Sequence, residues 1–303
     1  MARGQPLTAR ELSLADLPAT RRLLTTSEYV YARFEMKELQ RLLVQNPAVG
    51  VFSGETMQAF LLATFLSPVV GWIGGFGLTW SEGQRFKQYL DLLLPPFVTV
   101  LRRFGADALC YTGGNIETDW LKDALLERDF HLLTTLRSYD KEDFSLPTAG
   151  NATVVVRPVE RADLQALVAV EAACFDKHWR YDAAGFWEMV ETCPYFVVAL
   201  LDGKVIGYQF NMVEGSTGYL VRIAVHPAYN SQGVGARLMA EAIRFFAQRR
   251  VWKIALNTEE ANRHAHRLYE WFGFHLVQPR GFVLERALVT TQQDVSGRAL
   301  YRP

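Results

Sequence analysis

The strongest chemical signal lies where an apolar, strand-like run at 220–225 (Leu-Val-Arg-Ile-Ala-Val) passes through His226-Pro227 into Asn230-Ser231-Gln232-Gly233-Val234-Gly235-Ala236. A helical pattern follows from 235 to 249. A strand, a glycine-containing loop and a helix start in that order bring unpaired backbone N–H groups to the positive end of a helix dipole. That combination is a cradle for a pyrophosphate. Gly233 and Gly235 keep side chains out of the path of a phosphate, and glycine alone readily adopts the positive φ that lets neighbouring N–H groups converge.

A second constellation lies downstream, at Asn257 and in Asn262-Arg-His-Ala-His-Arg-Leu-Tyr269-Glu-Trp-Phe-Gly273. Asn262 and Tyr269 are seven residues apart, about two helical turns, so they share one helix face. Taken alone, Asn262 reads as a helix N-cap, Tyr269 as a core residue and Gly273 as the helix C-terminal cap. His264 and His266 are two apart on the same helix and face different directions, so no metal pair is expected.

Together and in this order, the two stretches resemble the GNAT superfamily of N-acetyltransferases. Its coenzyme A loop is Gln or Arg, two residues, Gly, any residue, then Gly or Ala; this sequence has Asn230, Ser231, Gln232, Gly233, Val234 and Gly235, with Asn230 departing from the first position. The resemblance implies acetyl-CoA as cofactor, held by Ile223, Ala224, Val225, Asn230, Ser231, Gln232, Gly233, Val234, Gly235, Ala236, Asn257 and Asn262. It implies that the strand ending at 225 splays from its neighbour and exposes backbone donors of 223–225 to the acyl carbonyl. It also implies that Tyr269 is the general acid at the leaving thiolate, a role that a phenol with a pKa of about 10 can fill.

The reaction implied is direct attack of a primary amine, on a small molecule or a peptide, without a covalent enzyme intermediate. Such attack needs a base. Tyr219 stands in the neighbourhood where some members carry a Glu, and Glu171 is taken as the base, with Asp176, His178 and Glu214 as alternatives acting through water. Phe175, Trp179 and Tyr181 fall where the superfamily shapes the acceptor pocket. A non-catalytic acyl-CoA sensor or scaffold would keep the glycines and need no base. A phosphate-ligand protein of another kind would lack the Asn262–Tyr269 stretch, and the loop carries no P-loop lysine.

The remaining sequence limits the setting. Among 303 residues, 50% are apolar and 21% charged, enough for folded cores, and basic and acidic residues balance at 32 each. No basic field is present to recruit nucleic acid or a membrane surface. Cys110, Cys174 and Cys193 are too few and too scattered for a disulfide framework or zinc site. The start lacks a secretory pattern, and the most apolar stretch, 59–76, is broken by Ser67-Pro68 and glycines. A cytoplasmic protein with no membrane span and no metal is expected.

A repeat orders the chain: Arg10-Glu-Leu-Ser-Leu-Ala-Asp16-Leu-Pro-Ala returns as Arg157-Pro-Val-Glu-Arg-Ala-Asp163-Leu-Gln-Ala, and Phe130-His131-Leu132 returns as Phe274-His275-Leu276. Each half reads as a strand, two helices, three strands, a helix, a strand, a helix and closing strand segments. In the first half a helix is expected at 21–34 and another at 84–104, interrupted at Pro95-Pro96. The expected architecture is α/β: a mixed, mostly antiparallel sheet flanked by helices, the GNAT fold, in two tandem copies at 1–145 and 152–288, with a tail at 289–303. The first copy has a single glycine, Gly83, beside Glu82 at its cradle position and Leu125 in place of Tyr269. It reads as a degenerate copy that supports the second, covers part of its acceptor cleft or mediates association, as in a homodimer.

Overall fold

The computed structural model describes residues 6–288 apart from Pro68, and apart from the side chains of Gly83 and Gln84; the expected tail at 289–303 lies outside the described residues. The chain divides into two compact units. The first takes in residues up to Leu62, then Gly75–Leu109 and the chain from Arg286; the second comprises Ala63–Gly74 and Cys110–Glu285.

In the first unit, β1 (Leu7–Glu11), α1 (Leu17–Thr26), β2 (Val30–Ala32), α2 (Leu39–Gln45) and β3 (Ala48–Ser53) come first. They are followed by β4 (Thr56–Ser67), β5 (Val70–Leu78) and α3 (Phe86–Arg103), and the strands order as β1-β3-β4-β5 with β2 on β5. The first helix starts and stops earlier than its expected 21–34 because Tyr29-Val30-Tyr31 is β-prone and pairs instead, Tyr31 opposite Phe76. Helix α3 runs unbroken through Pro95 and Pro96. Its buried stripe, Leu90, Leu93, Leu94, Phe97 and Leu101, holds it there, and Thr99 Oγ1 donates to the Pro95 carbonyl at 3.0 Å.

The second unit holds β6 (Ala108–Gly113) from Cys110 onwards, α4 (Lys122–Leu126), β7 (His131–Lys141), β8 (Val155–Pro158), α5 (Leu164–Cys174) and α6 (Ala183–Thr192). Next come β9 (Tyr195–Leu201), β10 (Lys204–Glu214), β11 (Thr217–Val225), α7 (Val234–Arg249), β12 (Lys253–Glu259), α8 (Arg263–Trp271) and β13 (His275–Ala287). The sheet order is β6-β13-β7-β12-β11-β10-β9-β8. Pairing is antiparallel between β8 and β11, parallel between β11 and β12, and antiparallel again along β12-β7-β13. This is the expected mixed, mostly antiparallel sheet.

The division differs from the boundary expected between 145 and 152. Strand β7, whose sequence belongs to the first half, pairs along β12 from Ile254 opposite Lys141 to Glu259 opposite Leu136. The tip of the β4–β5 hairpin, Ala63–Gly74, belongs to the second unit as well. Strand pairing, not chain order, sets the units.

Helices cover both faces of the second sheet. On one face α5 and α6 bury Leu167, Val170 and Phe186 against Phe196, Val198, Tyr208 and Phe210. On the other, α7 and α8 bury Met239, Ile243, Phe246, Tyr269 and Phe272 against Leu220, Ile254 and Leu256. Each such side chain contributes about 1.5–3 kcal/mol, so the start of α7 is fixed by its own packed stripe.

The sequence repeat has one physical core. Arg157 forks onto Asp163 at 2.7 and 2.8 Å, and Asp163 also accepts from the Glu160 amide at 2.8 Å, closing the turn that opens α5. Arg10 and Asp16 build the same fork at 2.9 and 2.7 Å before α1. The Arg157 hydrogen bond holds the Asp163 carboxyl below its ordinary range, despite burial. Because the folded pKa lies below the unfolded one, the pair stabilises fully above pH of about 3.9 and that contribution is lost as pH falls further. Thermal melts should therefore show Asp163→Asn less stable than wild type at pH 7, with the gap closing below pH of about 4; a gap that stays constant with pH contradicts the assignment.

Candidate functional site

The parallel pairing of β11 and β12 lasts three residue pairs, Thr217–Tyr219 against Lys253–Ala255, and then stops. Beyond it both strands continue, β11 to Val225 and β12 to Glu259. The cause is on the far edge of β11. Phe210 pairs with Arg222 and Asn211 with Leu220, so Val221 is an extra residue that bends β11 away.

The resulting gap is part of a cavity of about 770 Å³. Leu220–Ile223 lines one side and Ala255–Glu259 the other, with Asn262 and Tyr269 at the β12 end. Phe175, Asp176, Trp179 and Tyr181 line it from the loop after α5, and Leu66 from the β4–β5 hairpin tip.

Where β11 ends, His226 caps a short turn by accepting from the Ala228 amide at 3.2 Å. Ser231 and Gly233 then take φ of +61° and +75°, the left-handed region, and Gly233 becomes the N-cap of α7. No side chain caps that end. The next helix is capped differently, with Asn262 Oδ1 accepting from the Ala265 amide at 3.1 Å. The first-turn N–H groups of α7 have no intrahelical acceptor, so the terminus suits an anion. A Cβ on Gly235 would meet only Leu268 at 3.5 Å and Val225 at 3.9 Å, so the glycine is not demanded by packing and leaves open space beside the first turn.

Tyr269 is buried in the α7–α8 core, its ring 5.7 Å from Tyr139 and 6.1 Å from Phe274. Burial raises its pKa well above the ordinary phenol value. The hydroxyl is thus held in the protonated, donor form. Ile223, Asn257, Asn262 and Tyr269 all line the cavity, whereas Ala224 is buried against the α5–α6 face. Val225 ends β11, and its carbonyl accepts from Cys174 Sγ at 3.2 Å. Burial pushes that thiol up to about 11, so Cys174 is a tether and no nucleophile.

Glu171 does not reach the cavity. It is fully buried, accepting from the Tyr181 amide at 2.9 Å and from the Tyr208 hydroxyl, and it pairs with Arg222 at 3.3 Å. Arg222 in turn donates to the Trp179 carbonyl and lies over the rings of Phe175 and Tyr181 at 4.1 and 4.6 Å. The residue expected as base is the anchor of the acceptor-side loop, with both carboxylate oxygens engaged. The carboxylates on the cavity wall include Asp176 and Glu214. His178 is buried behind that wall, with Nδ1 3.0 Å from Asp176 and Nε2 2.8 Å from Glu285.

Local sequence reading missed the contributions of the first half. Leu136, Ser138 and Asp140 of β7 line the cavity, and Asp140 pairs with Lys253 at 2.5 Å. Tyr139 donates to, or accepts from, His266 Nδ1 at 2.8 Å beside Tyr269. Trp72 packs tilted against Trp179 with ring centroids 5.3 Å apart, and Ser67 donates to the Lys177 carbonyl at 3.2 Å. The echo of Phe130-His131-Leu132 in Phe274-His275-Leu276 is the one sequence signal that bears on this: β7 and β13, which these triplets open, pair with each other.

The sequence profile of the Acetyltransferase (GNAT) family matches residues 164–274. The second half of the chain carries a GNAT acetyltransferase domain. It is 27% identical over 128 residues to a putative ribosomal protein bS18-alanine N-acetyltransferase of Bacillus subtilis, covering 42% of this chain and 82% of that one. The fold of nearly the whole chain matches a tandem GNAT protein from the clavulanic acid biosynthesis pathway, with TM-score 0.66, 11% identity and coverage of 95% and 100%. It also matches a GCN5-related N-acetyltransferase of Sphaerobacter thermophilus, with TM-score 0.64, 15% identity and coverage of 94% and 97%. The chain thus shares its fold with these solved proteins, and residues 164–274 match the GNAT acetyltransferase family. No described helix is long and apolar enough to cross a membrane, and no group of His, Cys, Asp and Glu suited to a metal ion occurs among the described residues.

The anchor role of Glu171 is testable. Glu171→Ala should cost about 3–5 kcal/mol in denaturant unfolding, because it leaves the largely buried Arg222 without its counter-charge. A variant as stable as wild type that loses only turnover would restore Glu171 as the base.

Proposed function

We propose that this protein transfers an acetyl group from acetyl-CoA to a primary amine by direct attack of the amine on the thioester. The observation that carries the reading is the coincidence of three features in one unit: the β11–β12 gap, an uncapped glycine N-terminus on α7 at the end of the same strand, and Tyr269 on the gap wall. Acetyl-CoA would supply an activated acyl group. The residues that would hold it are Asn230–Ala236 at the pyrophosphate, and Ile223–Val225, Asn257 and Asn262 along the pantetheine arm.

The chain's own chemistry follows from these positions. Backbone N–H groups on the unpaired edge of β11 can stabilise negative charge developing on the acyl oxygen. Tyr269 keeps its proton until a thiolate develops beside it, then donates. The amine approaches from the side walled by Phe175, Trp179 and Tyr181, where Asp176 and Glu214 face water and the cavity. None of the three cysteines forms a disulfide, which supports a reducing, cytoplasmic setting.

Titration calorimetry with acetyl-CoA tests the cofactor site. Gly235→Asp should abolish binding by setting a carboxylate against the phosphates, yet melt as wild type does, since the local space admits a Cβ. Unchanged affinity contradicts the cradle. Steady-state kinetics test Tyr269: Tyr269→Phe should lower kcat by about 100-fold or more while acetyl-CoA affinity stays within about twofold. Full turnover in that variant removes the general-acid role.

A further inference from the structure

The segment that connects β7 to β8 meets the α7 loop at one point, through Thr148–Thr153. Asn151 N–H donates to the Gly233 carbonyl at 3.2 Å, and Asn151 Nδ2 donates to the Gln232 carbonyl at 2.8 Å. Its Oδ1 is used as well, accepting from the Thr153 amide at 2.9 Å and the Thr153 hydroxyl at 2.7 Å. Asn151 therefore ties two successive loop carbonyls, and its own orientation is fixed by a third residue.

The neighbouring Gly150 fits the helix end itself. It has φ of +77°, and a Cβ there would lie 2.2 Å from the Arg237 amide nitrogen and 2.4 Å from Arg237 Cα. Only glycine can run this close to α7. Thr148 Oγ1, accepting from the Gly150 amide at 3.1 Å, closes the turn that brings it in.

These contacts have a directional consequence. In a planar trans peptide the C=O and N–H of one unit point opposite ways. The unit joining Gln232 to Gly233 has its carbonyl on Asn151, so the Gly233 N–H points away from the connecting segment. The unit joining Gly233 to Val234 has its carbonyl on the Arg237 amide of α7 at 3.0 Å as well as on the Asn151 amide, so the helix itself already turns the Val234 N–H away. Both N–H groups belong to the cradle.

We infer that Asn151 is a positioning residue for the cofactor: by holding the Gln232 carbonyl through its side-chain Nδ2, it aims the Gly233 N–H group at the pyrophosphate. This rests on the acetyl-CoA reading of the loop. The connecting segment is then part of the binding site although it touches no cofactor atom.

The experiment compares two donors on the full chain, acetyl-CoA and S-acetylpantetheine, which lacks the pyrophosphate and the nucleotide. Asn151→Ala removes the Nδ2 contact and keeps the backbone one, and should weaken acetyl-CoA binding about tenfold by calorimetry, the loss expected for one misaimed charge-assisted hydrogen bond. The KM for S-acetylpantetheine and kcat should stay at wild-type values. Asn151→Asp retains the Thr153 contacts but has no Nδ2 donor, and should weaken acetyl-CoA selectively in the same way. Equal loss for both donors means general damage and overturns the inference, as does wild-type affinity for acetyl-CoA in both variants. If the wild-type chain itself binds no acetyl-CoA, the donor reading fails, and this inference with it.

Discussion

Everything at the site depends on two parallel strands ceasing to pair. Backbone groups inside a sheet are almost always satisfied by a neighbour, because leaving them buried and unpaired is costly. Here β11 and β12 separate after Tyr219 and Ala255. The bulge at Val221 bends β11, while β12 keeps its partner β7 from Ile254 to Glu259 and stays in the sheet. The gap opens because one strand is bent and the other is held. Its edges then offer donors and acceptors to whatever lies between them.

The surrounding elements hold that gap in shape. On one face the Glu171–Arg222 pair fixes the loop with Phe175, Trp179 and Tyr181 against β10 and β11. Burying a charged pair brings little net stability, yet its geometry leaves the loop few alternatives. On the other face α7 and α8 bring an uncapped N-terminus and a phenol to the same end of β11. The Asn151 side chain holds the Gln232 carbonyl and with it the direction of the Gly233 amide.

How much of this was legible in the sequence follows from the range of the interactions. The loop 230–236, the helix that follows it and the Asn262–Tyr269 spacing are local patterns, and each falls where the sequence placed it. The repeat at Arg10 and Arg157 was visible because the fork onto Asp16 and Asp163 closes within six residues. What escaped is long-range. A carboxylate in a helix reads alike whether it faces a cavity or an arginine 51 residues on, so Glu171 could not be told from a base. The placement of β7 beside β12, and of Leu66 on the cavity wall, depends on strand partners that no local pattern names. At Pro95-Pro96 the local signal pointed to a break, and the buried stripe of α3 overrode it.

The most direct test of the central claim is a crystal structure of the full chain with coenzyme A. The pantetheine arm should lie between 220–225 and 256–259, with the pyrophosphate on the N–H groups of residues 233–236. Coenzyme A bound elsewhere, or a complex in which β11 and β12 pair along their full length, would contradict the account.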